Sequence, residues 1–357
     1  MKSRLKFIFV HGLSGWGSYD AAYARMPYWG MRGGDLMVYL RDQGFDCYAA
    51  SVAPTGSAWD RACELYAQIA GTKVDYGQAH SEIMRHNRFG KDFTAHPLIG
   101  KWNEETRLVL LGHSFGGATV RLFAKLLAHG DERERGTSQT ASPFFMGGMG
   151  DRVHGIVTLA APMNGTTAYD LFTDSAFEPA GIQVPLWSKG LARMMSMGTK
   201  PKRDGRDERD YADHDMHIDH ALEMNAGMPL NGSTYYFSVP CSMTKCAEDG
   251  CHKPQKGIEP LFVMRATQIG AYTGKTKGGY VIDERWREND GLVNTISASA
   301  PIGDPSKALD RENIERGIWN VFPVLNGDRM WLQGGLLHRH DIRAFYLDLL
   351  SMIAELE

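Results

Sequence analysis

Arg107 to Gly117 reads R-L-V-L-L-G-H-S-F-G-G, and this stretch decides the fold. An apolar run stops at a small residue and is followed at once by Gly112-His113-Ser114-Phe115-Gly116, a G-x-S-x-G pattern. The glycines permit a tight turn between a buried strand and a helix, which presents the Ser114 hydroxyl to a substrate. Five matching residues also arise by chance, so the flanking sequence matters. Leu108 to Leu111 has the continuous apolar character of a buried strand. Gly117 to His129 has the spacing of an amphipathic helix that stops at Gly130. Strand, tight turn and helix in that order make Ser114 a candidate nucleophile for acyl transfer.

Outward from this unit, strand-like runs recur at Leu5 to Val10, Cys47 to Val52, Val153 to Leu159, Thr234 to Val239 and Ile318 to Leu325. Helical or irregular stretches separate most of them. Such alternation predicts an α/β fold, a mainly parallel sheet covered by helices on both faces. With 357 residues, 43% of them hydrophobic, the chain can bury a sizeable core, and residues 1–357 are expected to form one decorated domain. A formal net charge of −3 gives no footprint for nucleic acid, and no apolar run approaches a membrane span. Leu5 to Val10 is too short for a signal-peptide core and runs straight into His11-Gly12-Leu13, so it reads as the first central strand. Two settings remain: a cytoplasmic protein, or an exported one whose signal was removed before this numbering begins.

Serine needs a base, a carboxylate to orient that base, and donors for the developing oxyanion. The first strand ends in His11-Gly12-Leu13-Ser14-Gly15, and such a loop supplies one oxyanion N–H while the residue after the nucleophile supplies the other. That assigns the hole to the backbone of Leu13 and Phe115. Trp16, Tyr28, Trp29, Phe115 and Met163 would favour an apolar acyl group. For the carboxylate, the chain order serine, acid, base points to the polar turn Glu288-Asn289-Asp290-Gly291, and Asp290 is the candidate.

Several longer strings then carry a resemblance. Trp59-Asp60-Arg61-Ala62-Cys63-Glu64, Val74-Asp75-Tyr76-Gly77-Gln78-Ala79-His80, Arg85-His86-Asn87-Arg88-Phe89-Gly90, Trp286 to Gly291 and Asp341 to Tyr346 together resemble the zinc-containing bacterial lipases of thermophilic bacilli and staphylococci. The resemblance covers nearly the whole chain apart from a shortened middle. It implies the α/β-hydrolase fold, a zinc-binding insertion around 55–100, a lid around 166–225, and Asp290 as the residue that orients the catalytic histidine. It also implies a structural zinc held by Asp60, His80, His86 and Asp215. Two imidazoles and two carboxylates make a closed tetrahedral site with no open position for catalysis. Asp213, His214, His217, Asp219 and His220 are near rivals of Asp215. The implied function is carboxylic-ester hydrolysis through an acyl-enzyme, on lipid or polymeric esters, and the implied setting is extracellular.

The chain departs from this family at the base. Aligning the last strand brings the family's Asp-His pair onto Asp328-Arg329, and arginine cannot act as a general base. Either the base is missing, leaving a hydrolase-fold protein with impaired turnover, or another histidine serves. His338 is the better candidate for that role; His340 abuts the start of the final helix. Calcium is not expected, because Met330 to Leu337 holds no carboxylate. The shortened middle predicts a small lid and an open pocket, suited to short or medium acyl esters or bulky polymeric ones. Lys200 to Asp210 (K-P-K-R-D-G-R-D-E-R-D) is too densely charged for a core and reads as a surface loop or part of the cap; the methionine-rich Gly190 to Met197 reads as a binding surface or a packed helix. Cys241, Cys246 and Cys251 leave a disulfide, free thiols or a second metal site open.

Overall fold

The computed structural model describes residues 4–173 and 204–356. Seven strands form one sheet: β1 (Leu5–Val10), β2 (Cys47–Ala50), β3 (Arg107–His113), β4 (Val153–Leu159), β5 (Tyr235–Val239), β6 (Ser306–Ala308) and β7 (Trp319–Val321). Their spatial order is β6-β7-β5-β4-β3-β1-β2, and every neighbouring pair is parallel. β4 is buried along its whole length, as a strand covered on both faces must be. The short edge strand β6 carries no apolar run that would have marked it in the sequence.

Helices cover both faces. On one side α2 (Ala58–Ala70) and α4 (Gly116–His129) pack Ala62, Leu65, Val120 and Phe123 against Ile8 and Leu110. On the other, α1 (Leu36–Asp42) and the final helix α5 (Arg343–Ala354) pack Leu40, Tyr346 and Leu350 against Phe7, Phe9 and Val157. Helix α4 begins one residue earlier than its sequence pattern predicts. It ends where expected, at Gly130 with φ 66°. Within the region expected as an insertion, α2 is core. Lys73–Asp75, paired antiparallel with Phe89–Asp92, and helix α3 (Gln78–Met84) stand outside the sheet.

Of the expected lid, 174–203 lies outside the described residues, and with it Gly190 to Met197. The cysteine cluster resolves into a hairpin, in which Cys246 pairs with His252 and Ala247 N–H donates to Cys251 O. Directly opposed residues share a face and their neighbours take the other, so Cys246 and Cys251 point apart. All three thiols are free.

Candidate active site and metal cluster

Ser114 sits where β3 passes into α4, at the carboxyl ends of the parallel strands, where open α/β sheets bind ligands. Its φ is 56°, a left-handed conformation that costs a non-glycine residue of order 1–3 kcal/mol. The surroundings enforce it. Ser114 N–H donates to Leu159 O at 2.8 Å, and Gly117 N–H donates to Ser114 O at 2.8 Å. A Cβ on Gly112 would lie 2.3 Å from Gly116 O, and one on Gly116 would lie 2.4 Å from Val10 O. Both glycines are therefore required by close backbone approach.

The loop after β1 lies beside this turn. Among the described residues, neither Leu13 N–H nor Phe115 N–H donates to another group, which leaves both free for an oxyanion. Two buried groups steady the loop. Tyr28 Oη accepts from Gly12 N–H at 3.0 Å, and Arg61, fully buried, donates to His11 O, to Ala53 O at 3.0 Å and to Thr119 Oγ1 at 2.9 Å. Arg61 thus ties the loop to α2 and α4. Nothing in its string marked it as more than part of a family motif.

Asp290 is buried in its turn, with Oδ1 accepting from Leu292 N–H at 2.9 Å and Val293 N–H at 2.8 Å. Its Oδ2 is buried with no hydrogen-bond partner among the described residues. Burial raises its pKa to about 6, against the opposing pull of Arg329 and the two N–H donors. Arg329 occupies the position facing both groups. Its Nη2 contacts Ser114 Oγ, while its Nη1 is buried without a partner. The backbone of Arg329 is held twice: its N–H donates to Asp290 O at 3.1 Å, and His113 Nε2–H donates to its carbonyl at 3.1 Å. His113 Nδ1 then accepts from Tyr28 Oη at 2.7 Å or Gln333 Nε2 at 2.9 Å. Burial and Arg329 lower the His113 pKa to about 3, so this histidine is neutral and structural.

His338 does not take the base position. Its side chain is 48% exposed, with Nδ1 3.9 Å from Glu259 Oε2, and the carboxylate of Glu259 accepts the N–H groups of Leu336, Leu337 and His338. That loop is latched around Glu259 rather than around Ser114. His340 packs its ring against Trp331.

A second cluster lies beside α2. Donor atoms of Asp60, His80, His86 and Asp210 all fall within 4.8 Å of one another. His80 Nε2 is 3.2 Å from Asp60 Oδ1 and 3.3 Å from Asp210 Oδ1; His86 Nε2 is 3.7 Å from Asp60 Oδ1 and 3.4 Å from Asp210 Oδ2. Tetrahedral zinc with bonds of about 2.0–2.1 Å separates its ligand atoms by about 3.3 Å. The set therefore fits such an ion. His86 adds a chemical test, because its Nδ1–H donates to Asn87 O at 2.9 Å. That bond turns the other ring nitrogen, a buried Nε2 with no hydrogen-bond partner among the described residues, toward the carboxylates of Asp60 and Asp210, which is the orientation of a metal-ligating imidazole.

The fourth member is Asp210, not Asp215. Asp215 Oδ2 accepts from Ala58 N–H at 2.7 Å and so caps α2 together with Ser57. Of the rivals, His217 faces Asp170 and Asp219 holds Gly278 N–H. The charged run that hid Asp210 is surface only in part, since Asp210 itself is fully buried.

The described residues match relatives along nearly all their length. The family described as "Lipase-like, C-terminal domain" matches residues 3–180 and 203–334. A lipase of Staphylococcus hyicus is 32% identical over 356 residues, 91% of this chain and 53% of that protein. Lipase 2 of Staphylococcus aureus is 30% identical over 348 residues, 90% of this chain and 49% of that protein. This chain thus spans about half the length of these relatives. Among solved structures, EstA from Clostridium botulinum superposes with a TM-score of 0.84 at 30% identity, covering 99% of this chain and 88% of that one. The Staphylococcus hyicus lipase gives 0.81 at 30% identity, covering 99% and 97%. By these matches and its parallel sheet, the chain belongs to the bacterial lipase family of the α/β-hydrolase fold.

Proposed function

We propose that this chain is a carboxylic-ester-binding hydrolase whose turnover is held far below that of a full triad by Arg329. The contact between Arg329 Nη2 and Ser114 Oγ carries the reading. In ester cleavage, Ser114 would attack the carbonyl while Leu13 and Phe115 N–H groups hold the oxyanion. The Ser114 proton needs an acceptor, and the leaving alkoxide needs that proton back. A guanidinium has no lone pair to accept the first, so the Ser114 proton is never shuttled to the leaving group. The oxyanion hole and binding contacts alone sustain roughly 10³–10⁴-fold acceleration over water. The orphaned Oδ2 of Asp290 supports the same view, since it lacks the imidazole N–H that it would orient.

The substrates in this reading are lipid esters of short to medium chain, with bulky polymeric esters and an extracellular setting as parts of the same proposal. No helix among the described residues is long and apolar enough to cross a membrane. The cluster of Asp60, His80, His86 and Asp210 would hold a structural zinc. Bound there, zinc would cross-link α2, the segment carrying α3, and the segment leading to Tyr211. Hydrolysis of p-nitrophenyl esters from acetate to dodecanoate tests the proposal. Slow release across the series is expected; turnover in the usual enzymatic range of about 1–10³ s⁻¹ would overturn it.

A further inference from the structure

A guanidinium adjoins the four residues of this cluster. Arg206 directs a single nitrogen, Nη1, at both carboxylates, 3.0 Å from Asp60 Oδ2 and 3.2 Å from Asp210 Oδ2. Its Nε is fixed from behind by Asp204, at 3.1 Å from Oδ1 and 3.2 Å from Oδ2, and Tyr211 Oη donates to the same Asp204 Oδ1 at 3.0 Å. The guanidinium also lies over the Tyr211 ring, 5.6 Å from its centroid. Ser57 Oγ donates to Asp210 Oδ1 at 2.8 Å, so both carboxylates are held from outside the cluster. The side chain of Arg206 is 24% exposed, against 3% and 0% for the two aspartates it joins.

We propose that Arg206 is a resident counter-cation of this cluster, which neutralises part of the Asp60 and Asp210 charge and thereby makes the fold less dependent on a bound divalent ion. Two buried carboxylates facing two imidazoles repel one another unless a cation lies between them. Arg206 supplies one unit of positive charge from within the chain. The same charge, 3.0 Å from Asp60 Oδ2 and 3.2 Å from Asp210 Oδ2, repels an incoming divalent ion and weakens its binding. Occupation of Asp60 Oδ2 also favours ligation through Asp60 Oδ1 alone, the oxygen that faces both imidazoles. That suits a small tetrahedral ion and disfavours calcium, which takes 6–8 oxygens and often both of a carboxylate.

The test compares wild type with Arg206→Met and Arg206→Lys, and with Arg209→Met as a control, because among the described residues Arg209 pairs with Asp207 and not with the cluster. Zinc affinity is read by competition with a chelating dye, and the melting temperature is read with and without a strong chelator. Arg206→Met should bind zinc about tenfold or more tightly and lose more melting temperature on chelation than wild type. Arg206→Lys and Arg209→Met should follow wild type. Folding of Arg206→Met only in the presence of zinc would be the same result in stronger form. Equal affinity and equal chelation loss in Arg206→Met and wild type would overturn the proposal, as would failure of wild type to bind zinc. None of these readouts depends on ester turnover.

Discussion

Replacing Arg329 with histidine should convert a slow site into a working triad. Position 329 is fixed by its backbone, through N–H to Asp290 O at 3.1 Å and carbonyl to His113 Nε2 at 3.1 Å, so a shorter side chain starts from the same Cα. An imidazole there has both partners waiting. Asp290 Oδ2 is buried and unpaired, ready to accept Nδ1–H, and Ser114 Oγ is already in contact with the present side chain. In the present chain burial raises the Asp290 pKa to about 6 against the pull of Arg329; the variant loses that pull, so it is assayed at pH 8 to favour the carboxylate. In serine proteases, removing the base alone costs on the order of 10⁶ in kcat. A grafted histidine without optimised packing should recover at least ~10³ of this, about 4 kcal/mol of transition-state stabilisation. The assay is kcat/KM on p-nitrophenyl butyrate at pH 8, with Arg329→His/Ser114→Ala as the control. A folded Arg329→His chain within threefold of wild type would refute the reasoning.

Three further outcomes are expected. Elemental analysis should find zinc in wild type and none in Asp210→Ala or His86→Ala, whereas Asp215→Ala should keep it and lose about 1 kcal/mol of stability as a helix cap. Burial raises Asp290 from the unfolded value of about 3.9 to about 6, so the folded state holds this proton more tightly; the group's contribution falls as pH rises from about 4 to about 6, by roughly 3 kcal/mol. Urea unfolding at pH 4.5 and pH 7 should accordingly show a shallower loss in Asp290→Asn than in wild type. Gly116→Ala should destabilise by more than about 3 kcal/mol, since its Cβ would lie 2.4 Å from Val10 O, a backbone atom that cannot step aside.

The nucleophile turn was legible because its physics is local: an apolar strand, two glycines at points of close approach and an amphipathic helix are all written within about 25 residues. The loop after β1 was legible as the continuation of an apolar strand, whereas the Asp290 turn stood out by its polar string Glu288-Asn289-Asp290-Gly291 and by the family resemblance. Strand β6 was not, since Ser306–Ala308 at the sheet edge buries too little to need an apolar pattern. Asp210 was hidden by composition: one buried ligand among charged neighbours looks like any solvated residue, and only the chain's return to α2 separates it from Asp215. Arg61 and Arg206 were likewise invisible as structural cations, because their partners lie on other segments. Arg329 was expected at the family's base position from the resemblance alone. Its contact with Ser114 required the fold.

The central claim is that Ser114 lacks a base. Steady-state hydrolysis of p-nitrophenyl acetate by wild type and by Ser114→Ala tests it most directly. Because members of a triad act as a unit, a serine without its base gains little, and the two rates should agree within a few-fold. A wild-type rate hundreds of times above that of Ser114→Ala would mean that another group removes the Ser114 proton, and would contradict the role assigned to Arg329.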